Sequence, residues 1–450
     1  MMLDLSLAIC GALLSLMGFL YIYRGLFAAI GLFRTKKFPP AKTLHRYAVV
    51  IAARNEEAVI GNLLSSIEKQ DYPHEQITVF VAADNCTDET AAKARAHGAV
   101  CYERTDPSRR TKGYALQFLF EKIRRDYGVG AFDAYILLDA DNLLKSDYIS
   151  RMNDAFDAGE QIVTSYRNTK NLDDNWISAG YALHWLRTAR FENRARSLCG
   201  ISTRIQGTGV LFSSALMQNG WNYTSLTEDR AFSADAVAHG VHISYQHEAQ
   251  FYDEQPVSLP VAWRQRMRWS KGHVQAFTEF GGALFGRVFT EKSVRQKFVS
   301  YDMLLTNLPC ALISIPLKLI KLAVAAALCF AAASGASPEL LLSMTGALVF
   351  EHIANIPLAA LLFFTERDRL KAVPLCKKLW YCLMFPMFSI IGDLSLCAAA
   401  FKKVGWDPIP HRAALKIEEM ETGKVPANQK GFPEKQPKPL YSAEKYPSVK

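Results

Sequence analysis

The feature that most constrains the fold is a regular alternation of apolar strands and amphipathic helices between residues 47 and 138. Apolar runs rich in β-branched residues predict strands at 47–53, 77–83, 99–103 and 135–138, and apolar residues at helical spacing predict helices at 57–70, 87–97 and 113–125. Such alternation is typical of an α/β fold with a doubly wound, mostly parallel sheet. Ligands of such sheets bind where the strands end.

After residue 141 the alternation is less regular. Helices are predicted at 146–158, 174–197 and 227–239, and a strand at 242–245. A basic, aromatic-rich segment at 263–277 has helical spacing, which suits a helix lying at a membrane interface. The sequence therefore predicts one α/β domain at 45–260, followed by interfacial helices at 261–298.

Long apolar stretches flank this domain. Residues 5–23 can cross a bilayer and are followed by basic residues, so residues 1–36 are predicted to form a retained anchor whose C-terminal end is cytoplasmic. Three further stretches, 304–333, 340–364 and 379–401, predict a membrane region at 299–403. The basic residues of the 365–378 gap place it inside and the 334–339 gap outside. We therefore expect a multi-pass cell-membrane protein with a cytoplasmic catalytic domain.

Residues 404–450 form a basic tail, predicted to be disordered because residues 423–450 offer no apolar face. A simple crossing by 379–401 would put this tail outside, against the charge rule, so its side is left open. The chain has a net charge of +9 but no RNA-binding or zinc-finger pattern, which argues against nucleic-acid binding. Membrane lipids or an anionic sugar nucleotide explain the charge better.

Two carboxylates follow the strand at 135–138. Asp139 and Asp141 flank Ala140, and an extended chain would turn both side chains to one side. Together they could hold Mg²⁺ or Mn²⁺, which would bind a diphosphate. The alternative is that one aspartate only caps the next helix.

Polar residues also end the strand at 77–83. Asp84 is a candidate hydrogen-bond acceptor for a nucleotide base or ribose, whereas Thr87 or Asp88 could serve only as a helix cap. Lys112, followed by Gly113, is a candidate phosphate or nucleotide contact, with an ordinary surface lysine as the alternative.

The Thr227-Glu228-Asp229 motif opens a predicted helix, and Asp229 is the best candidate general base. Glycosyl transfer that displaces a nucleoside diphosphate needs an acceptor hydroxyl to lose its proton as it attacks, and a carboxylate can take that proton. The alternative is that Glu228 and Asp229 are helix-start acids.

The Gln265-Arg266-Met267-Arg268-Trp269 segment is the most specific signal. Arg268 can fork onto phosphate, Gln265 can bond a sugar hydroxyl, and the ring of Trp269 can stack on a pyranose. The structural alternative is an amphipathic helix at the membrane interface with Trp269 as its aromatic anchor. The functional and the structural interpretations are compatible.

The motifs follow one another along the chain as Asn55-Glu56, Ala83-Asp84-Asn85-Cys86-Thr87-Asp88, Lys112-Gly113, Asp139-Ala140-Asp141, Thr227-Glu228-Asp229 and Gln265-x-x-Arg268-Trp269. In this chain order they resemble those of membrane-embedded family 2 glycosyltransferases, the group of cellulose, chitin and hyaluronan synthases. The resemblance covers about residues 47–272. The wording of the motifs at 83–88 and 227–229 is most similar to bacterial exopolysaccharide transferases of the methanolan type. It implies a GT-A catalytic domain, an inverting reaction, an NDP-sugar donor that is usually UDP-linked, and a divalent metal, Mg²⁺ or Mn²⁺.

The resemblance also assigns roles. It implies nucleotide-sugar contacts from Ala53, Asn55, Glu56, Asp84, Lys112 and Asp139; a metal at Asp139 and Asp141; catalysis by Asp229 with Glu228; and an acceptor and diphosphate platform of Gln265, Arg268 and Trp269.

Departures from the family pattern leave the product open. No F-x-V-T-x-K loop follows Trp269, and no PilZ domain is recognisable. The expected function is addition of sugars to a growing polysaccharide at the cytoplasmic membrane face. The alternatives are a single addition to a lipid acceptor, as in ceramide glucosyltransferases, and a non-catalytic membrane assembly partner, which the retained acidic motifs argue against. The sugar, the linkage and any partner subunits are left open.

Overall fold

The computed structural model describes residues 2–331, 352–370, 373–406, 409, 411 and 413–422. Its centre is an 8-stranded sheet in the order β3-β2-β1-β4-β7-β6-β8-β5. The strands are β1 (Tyr47–Ala53), β2 (Ile77–Asp84), β3 (Val100–Arg104), β4 (Ala134–Asp139), β5 (Leu143–Leu144), β6 (Ile162–Thr169), β7 (Val210–Ser213) and β8 (Ile243–Asp253).

The first half of the sheet is parallel, as predicted, and the second half is mixed. Strands β1, β2, β3 and β4 run parallel to one another, whereas β7 is antiparallel to both β4 and β6, and β5 is antiparallel to β8. Because β1 is in register with β2 and β4 at Ala52 and Asp139, the C-terminal ends of these strands meet at one edge. The polar motifs that follow them therefore converge.

Both faces of the sheet are covered by apolar layers. Alternate residues of β1 enter different layers, since Tyr47, Val49 and Ile51 pack with one group and Ala48 and Val50 with the other. This alternation follows from the period of an extended chain. The layered α/β architecture is the predicted one.

The helices that cover the sheet and extend from it are α1 (Met2–Tyr21), α2 (Tyr23–Phe33), α3 (Ile60–Glu68), α4 (Thr90–Ala96), α5 (Lys112–Tyr127), α6 (Tyr148–Asp157), α7 (Trp176–Arg187), α8 (Arg194–Leu198), α9 (Glu228–Ala238), α10 (Leu259–Thr290), α11 (Val294–Asn307), α12 (Ala311–Ala331), α13 (Asn355–Thr365), α14 (Leu375–Phe401) and α15 (Ile417–Thr422).

Several helix boundaries differ from the expectation. The helices expected at 57–70 and 87–97 begin three residues later, because turns carrying the polar motifs precede α3 and α4. The helix expected at 174–197 contains a π-helical stretch, Thr188–Asn193, between α7 and α8. The interfacial segment forms one 32-residue helix, α10, instead of ending at 277.

Among the described residues, two helices are long and apolar enough to cross a membrane, Leu5–Phe33 and Leu375–Phe401. A third crossing would be added if α11 and the start of α12, which meet at a 61° bend, form one span. The 334–339 gap expected outside, the start of the apolar stretch 340–364, and residues 423–450 of the tail lie outside the described residues.

Helix α14 contacts the rest of the protein at both of its ends. Near its start, the Lys377 ammonium and the Tyr381 hydroxyl donate to the Asp173 carbonyl oxygen at 2.7 and 3.0 Å. Near its end, the Lys271 ammonium of α10 donates to the Ala399 carbonyl at 3.4 Å. A 27-residue helix is about 40 Å long, so α14 lies along the domain and α10 instead of pointing away from them.

The outer face of α14 is an apolar stripe. Leu375, Leu379 and Leu383 are 72%, 60% and 57% exposed, at the four-residue spacing that keeps them on one face. A helix that combines one packed face with one exposed apolar face suits the plane of a membrane interface. This arrangement would also bring the chain after α14 back to the side of the catalytic domain.

Residues 404–406, 409, 411 and 413–422 differ from the disordered tail that was expected. Ala413, Leu415 and Ile417 are buried against Leu143, and Lys69 forms an ion pair with Glu418. The sequence pattern did not indicate this packing, because alternate apolar residues in so short a stretch become significant only once a partner surface is known.

We predict that both ends of α14 lie on the same side of the membrane as the catalytic domain. We would apply an impermeant thiol reagent to vesicles of each orientation in turn. In one orientation it should label exposed Cys376, the cysteine introduced by Lys402→Cys and exposed Cys199 of the domain, and in the opposite orientation it should label none of the three. Peptide mass spectrometry identifies the labelled positions. Labelling of Cys376 and of the cysteine introduced at position 402 from opposite sides would show that α14 crosses the bilayer.

Candidate functional site

A cavity of about 210 Å³ opens at the C-terminal ends of β1, β2 and β4, with walls from α5, α7, α9 and α10. Every site residue predicted from the sequence lines it except Asn55. The lining set is Ala53, Glu56, Asp84, Lys112, Asp139, Asp141, Glu228, Asp229, Gln265, Arg268 and Trp269. Residues more than 200 positions apart in the chain thus share one cavity.

Asn55 has a different place. Its backbone is left-handed, with φ of 56°, and its side-chain oxygen accepts a hydrogen bond from the Thr87 amide at 2.8 Å. The next residue links the same two loops, because the Glu56 amide donates to the Thr90 hydroxyl at 2.9 Å. Asn55 therefore ties together the loops after β1 and β2, and it does not line the cavity.

Asp84 is buried between two arginines. Its carboxylate forms ion pairs with Arg54 and, at 2.5 Å, with Arg104, and it also accepts from the Asn85 side-chain amide at 2.9 Å. These partners come from the ends of β1 and β3, and a single-sequence pattern does not reveal such pairing. Asp84, Arg54 and Arg104 thus form one charged group, here called the Asp84 unit, and Asp84 and Arg54 of this unit line the cavity.

Thr87 and Asp88 were left between functional and capping roles. The Asp88 carboxylate accepts from the Thr90 backbone amide at 3.1 Å and from the Thr90 hydroxyl at 2.6 Å, so Asp88 stabilises the turn that leads into α4. Neither Thr87 nor Asp88 lines the cavity.

Lys112 joins two motifs inside the protein. Its ammonium forms an ion pair with Asp139, donates to the Gly207 carbonyl at 2.8 Å, and lies 3.7 Å from the Glu228 carboxylate. Burial alone would lower the pKa of Lys112, but the Asp139 and Glu228 carboxylates outweigh it and raise the pKa. Lys112 is therefore a largely enclosed, paired cation that links β4 to α9.

Glu228 and Asp229 occupy the first turn of α9 and line the same cavity. Burial raises the pKa of Glu228 to about 7, against the opposing effect of Lys112. The preceding Thr227 makes no capping bond, and its hydroxyl oxygen has no partner among the described residues. The acids of this motif thus face the cavity in addition to beginning the helix.

Asp141 is an ionised carboxylate at the floor of the cavity. It is 4% exposed and accepts from the Glu254 amide at 2.8 Å. Burial favours its protonated form, but the charges of His411 and Lys170 and the Glu254 hydrogen bond together lower its pKa. Asp141 therefore keeps its negative charge.

The residues around Asp139 and Asp141 match only part of the coordination that Mg²⁺ or Mn²⁺ needs. Within the described ranges, no three His, Cys, Asp or Glu side chains group closely enough to hold a metal ion. Asp139 and Asp141 supply hard carboxylate oxygens of the kind that Mg²⁺ and Mn²⁺ prefer. A metal held by these two residues would need its other ligands from elsewhere, such as a diphosphate and water.

The α10 motif forms the opposite wall. Trp269 packs edge-on against Tyr181 and Trp185, with ring centroids 5.7 and 5.6 Å apart, and Arg268 donates to the Leu226 carbonyl at 3.4 Å. A methyl group built on Gly272 would lie 2.3 Å from the Thr227 hydroxyl oxygen. Gly272 therefore lets α10 approach the Thr-Glu-Asp motif closely.

Sequence reasoning missed a charged pair at the end of β8. Asp253 forms an ion pair with Arg167, whose guanidinium lies 3.9 Å from the ring centroid of Trp185. Burial, with repulsion from Asp141, raises the pKa of Asp253 to about 6 although Arg167 opposes the shift. The available signal was that Asp253 and Glu254 follow a strand, as Asp84 and Asp139 do.

Several buried polar atoms of cavity residues have no hydrogen-bond partner within the described chain. They are Trp185 Nε1, Gln206 Nε2, Thr227 Oγ1, Arg230 Nη1, Asp253 Oδ1 and Gln265 Oε1. Unpaired buried polar atoms are costly, so each of these atoms is expected to find a partner, from water or from a ligand of the cavity. Because the atoms include both donors and acceptors, hydroxyl groups would suit them.

Three further lining residues, Trp406, Ile409 and His411, come from the chain after α14. His411 Nδ1 lies 3.0 Å from both carboxylate oxygens of Glu56. The sequence placed these residues in a disordered tail. An available signal was the combination of Trp and His within the short Pro-containing run at 406–411.

We predict that Gly272→Ala destabilises the protein by about 1 to 3 kcal/mol, because the added methyl forces α10 away from Thr227. The matched control is Gly282→Ala on the same helix, where a methyl meets no atom within 4 Å and should stabilise by up to about 1 kcal/mol. Thermal unfolding in detergent measures both. Equal melting temperatures for the two variants would contradict the close approach.

Glu228 should give stability a definite pH dependence. Its pKa rises from 4.5 to about 7 on folding, so the native state holds more protons in this window and the glutamate's contribution to stability falls as pH rises through it. Glu228→Gln removes this loss. The melting temperature of Glu228→Gln relative to the unsubstituted protein should increase between about pH 5 and pH 7.5.

The matched control for this titration is Glu121→Gln, at an exposed position on α5, which should show a constant difference over the same range. A constant difference for Glu228→Gln as well would mean that Glu228 is ionised in the native protein at all these pH values.

Comparison with known proteins gives the family. The family model "Glycosyltransferase like family 2" matches residues 45–272. A β-monoglucosyldiacylglycerol synthase from Nostoc is 24% identical over 241 residues, 52% of this chain and 50% of that protein. A poly-β-1,6-N-acetyl-D-glucosamine synthase from Staphylococcus epidermidis is 24% identical over 235 residues, 50% of this chain and 53% of that protein. The chain thus spans about half the length of these curated relatives.

Among solved structures, the chain is similar to a mannosyltransferase from Pyrobaculum calidifontis in complex with GDP-Man and Mn²⁺. The TM-score is 0.57 at 18% identity, covering 87% of this chain and 99% of that one. This likeness confirms the predicted GT-A-type α/β fold with flanking apolar helices. Since the family model covers half of the chain, including all the motifs around the cavity, the chain belongs to the family 2-like glycosyltransferases.

Proposed function

We propose that the protein is an inverting glycosyltransferase that moves a sugar from a nucleotide sugar, UDP-linked, onto the end of a growing glycan. The observation that carries this proposal is the convergence of the acidic motifs and the Gln-x-x-Arg-Trp segment on one cavity. One side offers carboxylates and arginines for a nucleotide diphosphate, and the other offers an aromatic and amide wall for a sugar.

The proposed chemistry places Asp229 as general base. The acceptor hydroxyl oxygen forms a bond to the anomeric carbon while the bond from that carbon to the diphosphate oxygen breaks, and the electron pair leaves with the nucleoside diphosphate. The hydroxyl proton passes to the Asp229 carboxylate. Attack opposite the leaving group inverts the anomeric configuration.

On the donor side, Arg268 would contact the diphosphate, because its guanidinium lines the cavity and can form paired hydrogen bonds to phosphate. Asp139 and Asp141 would hold Mg²⁺ or Mn²⁺, which when bound neutralises charge on the departing diphosphate. The bound Mn²⁺ of the archaeal mannosyltransferase structure supports a divalent metal in this fold.

For the nucleoside, the Asp84 unit with Arg54 supports binding at the ends of β1 and β2. The predicted contacts from Ala53, Glu56 and Lys112 belong to the same proposal. Lys112 would act through Asp139 and Glu228, since its ammonium is already bonded to protein groups.

On the acceptor side, Trp269 would stack against a sugar ring, steadied by its edge-on contacts with Tyr181 and Trp185. The nearby unpaired donors and acceptors favour a polyhydroxylated acceptor. A single addition to a lipid acceptor is the second candidate, because the glucolipid synthase from Nostoc and the polysaccharide synthase from S. epidermidis are equally similar to the chain.

The proposed location is the cytoplasmic face of the cell membrane. The apolar helix Leu5–Phe33, which is long enough to cross, the basic residues that follow it and the exposed apolar stripe of α14 support this location. A cytoplasmic catalytic domain would have direct access to nucleotide sugars.

The test uses the full chain in lipid nanodiscs with UDP-sugars, GDP-mannose, and Mg²⁺ or Mn²⁺. We expect nucleoside diphosphate release from one donor, loss of release in EDTA, and a sized product that separates polymer from glycolipid. Asp229→Asn should lower transfer by about 10² to 10⁴-fold with unchanged nucleotide affinity. The matched control, Asp235→Asn on the same helix but outside the cavity, should retain activity.

Full transfer by Asp229→Asn would eliminate it as the base, and full activity in EDTA would eliminate the metal. Absence of nucleotide release with every donor would contradict the proposed function as a whole.

A further inference from the structure

The chain after α14 returns to the catalytic domain and reaches the donor side of the cavity. The described residues of 402–422 (402–406, 409, 411 and 413–422), here called the C-terminal segment, contact the domain at several points. The Ala413 amide donates to the Glu254 carboxylate at 2.9 Å, and Ala413, Leu415 and Ile417 are buried with Leu143. The segment is therefore packed in place by both polar and apolar contacts.

The cavity contacts of this segment fall on residues at the donor side. The Arg54 guanidinium lies 4.4 Å from the ring centroid of Trp406, within range of a cation–π interaction. Arg54 also holds Asp84. The Trp406 ring is thus stacked on the charged unit at the ends of β1 and β2, where the nucleoside is proposed to bind.

His411 contributes a cation to the same side of the cavity. Burial alone would lower its pKa, but the carboxylates of Glu56, Asp141 and Glu254 raise the pKa to about 10, so the imidazole is protonated at neutral pH. Nδ1 bonds the Glu56 carboxylate, and Nε2 has no hydrogen bond to any described residue. His411 therefore has a second N–H available to a ligand.

An anion close to Asp139 and Asp141 needs positive charge around it. On this side of the cavity, Arg54 is committed to Asp84 and Lys112 to Asp139, whereas the described contacts of His411 leave its Nε2 donor open. A protonated imidazole that donates to a phosphate oxygen makes a charge-assisted hydrogen bond, which is stronger than a neutral one.

We propose that the C-terminal segment completes the donor-binding site, with Trp406 covering the nucleoside and His411 donating from Nε2 to the diphosphate. This inference rests on the proposed nucleotide-sugar function and deepens it. The catalytic domain defined by the family match, residues 45–272, would then be incomplete without a segment that follows the membrane helices. Trp406 and His411 are donor-positioning residues, separate from the proposed base.

The test measures the affinity of the full chain for UDP and for uridine by calorimetry in nanodiscs containing Mn²⁺. His411→Ala should weaken UDP binding by about tenfold or more and leave uridine binding unchanged, because only UDP carries the phosphates. Trp406→Ala should weaken both ligands by similar factors, and Trp406→Phe should restore part of the affinity because it keeps an aromatic face. The matched control is Lys416→Ala, at an exposed position on the same segment outside the cavity, which should change neither affinity.

His411→Gln separates a binding role from a structural one. Its amide can still bond Glu56 and hold the segment, but it carries no charge, so its UDP affinity should be intermediate while its uridine affinity stays unchanged. Equal losses for UDP and uridine in both His411 variants would show a structural role and overturn the proposal. Unchanged UDP binding would overturn it too.

Tighter UDP binding or faster turnover in the His411 and Trp406 variants would mean that the segment blocks the site, which also contradicts the inference. These results are distinct from failure of the proposed function. If the unsubstituted protein binds neither UDP nor GDP, the nucleotide-sugar function itself is wrong. If it binds GDP, the same comparison is made with GDP and guanosine.

Discussion

The ion pairs of the largely enclosed Lys112 ammonium are the interactions on which the site depends. The ammonium lies between Asp139 at the end of β4 and Glu228 at the start of α9, and it also bonds the Gly207 carbonyl. A buried charge is costly unless it is paired, so this cation fixes the distance between the strand that carries the Asp-Ala-Asp motif and the helix that carries the Thr-Glu-Asp motif. Close packing supports it, since a methyl on Gly113 would lie 2.1 Å from the Tyr223 carbonyl oxygen.

From this pair the cavity extends in two directions. Toward the sheet, the ends of β1 and β2 supply Glu56 and the Asp84 unit, and toward the apolar helices α10 supplies Gln265, Arg268 and Trp269. Because α10 packs on α9 through Gly272 and on α14 through Ser270, the wall proposed for the acceptor is continuous with the helices proposed to meet the lipid. This geometry suits an enzyme that takes a soluble donor from one side and serves an acceptor at the membrane.

The sequence allowed the fold class and most of the cavity to be predicted, because both depend on local pattern. The strand at 47–53 was located correctly since its apolar, β-branched run is unambiguous, and Asp139 followed from the end of another such strand. The antiparallel insertion of β7 between β4 and β6 was not predictable, because pairing partners are chosen by contacts distant in sequence. The ion pairs of Asp84 with Arg54 and Arg104 were not predictable for the same reason, because they join residues from different strands.

The C-terminal segment shows the limit most clearly. We expected it to be disordered as part of the tail 404–450, and its order in the structure depends on a surface formed by Leu143, Glu254 and Glu56, which Ala413 and His411 contact from more than 150 residues later in the chain. Apolar length likewise predicted a membrane segment at α14, and its contacts at both ends add that it lies along the domain and α10. Hydropathy reports that a helix is apolar, and only tertiary contacts report which way it lies.

The central claim is that this cavity binds a nucleotide sugar with its diphosphate between the Asp-Ala-Asp motif and α10. The most direct measurement is a cryo-EM structure of the full chain in nanodiscs with UDP and Mn²⁺. The account predicts density for the nucleoside beside Arg54 and Trp406, for the metal at Asp139 and Asp141, and for the β-phosphate pointing toward Arg268. Nucleotide density elsewhere on the protein would contradict it. So would an empty cavity in a sample for which calorimetry shows that the protein is saturated with UDP.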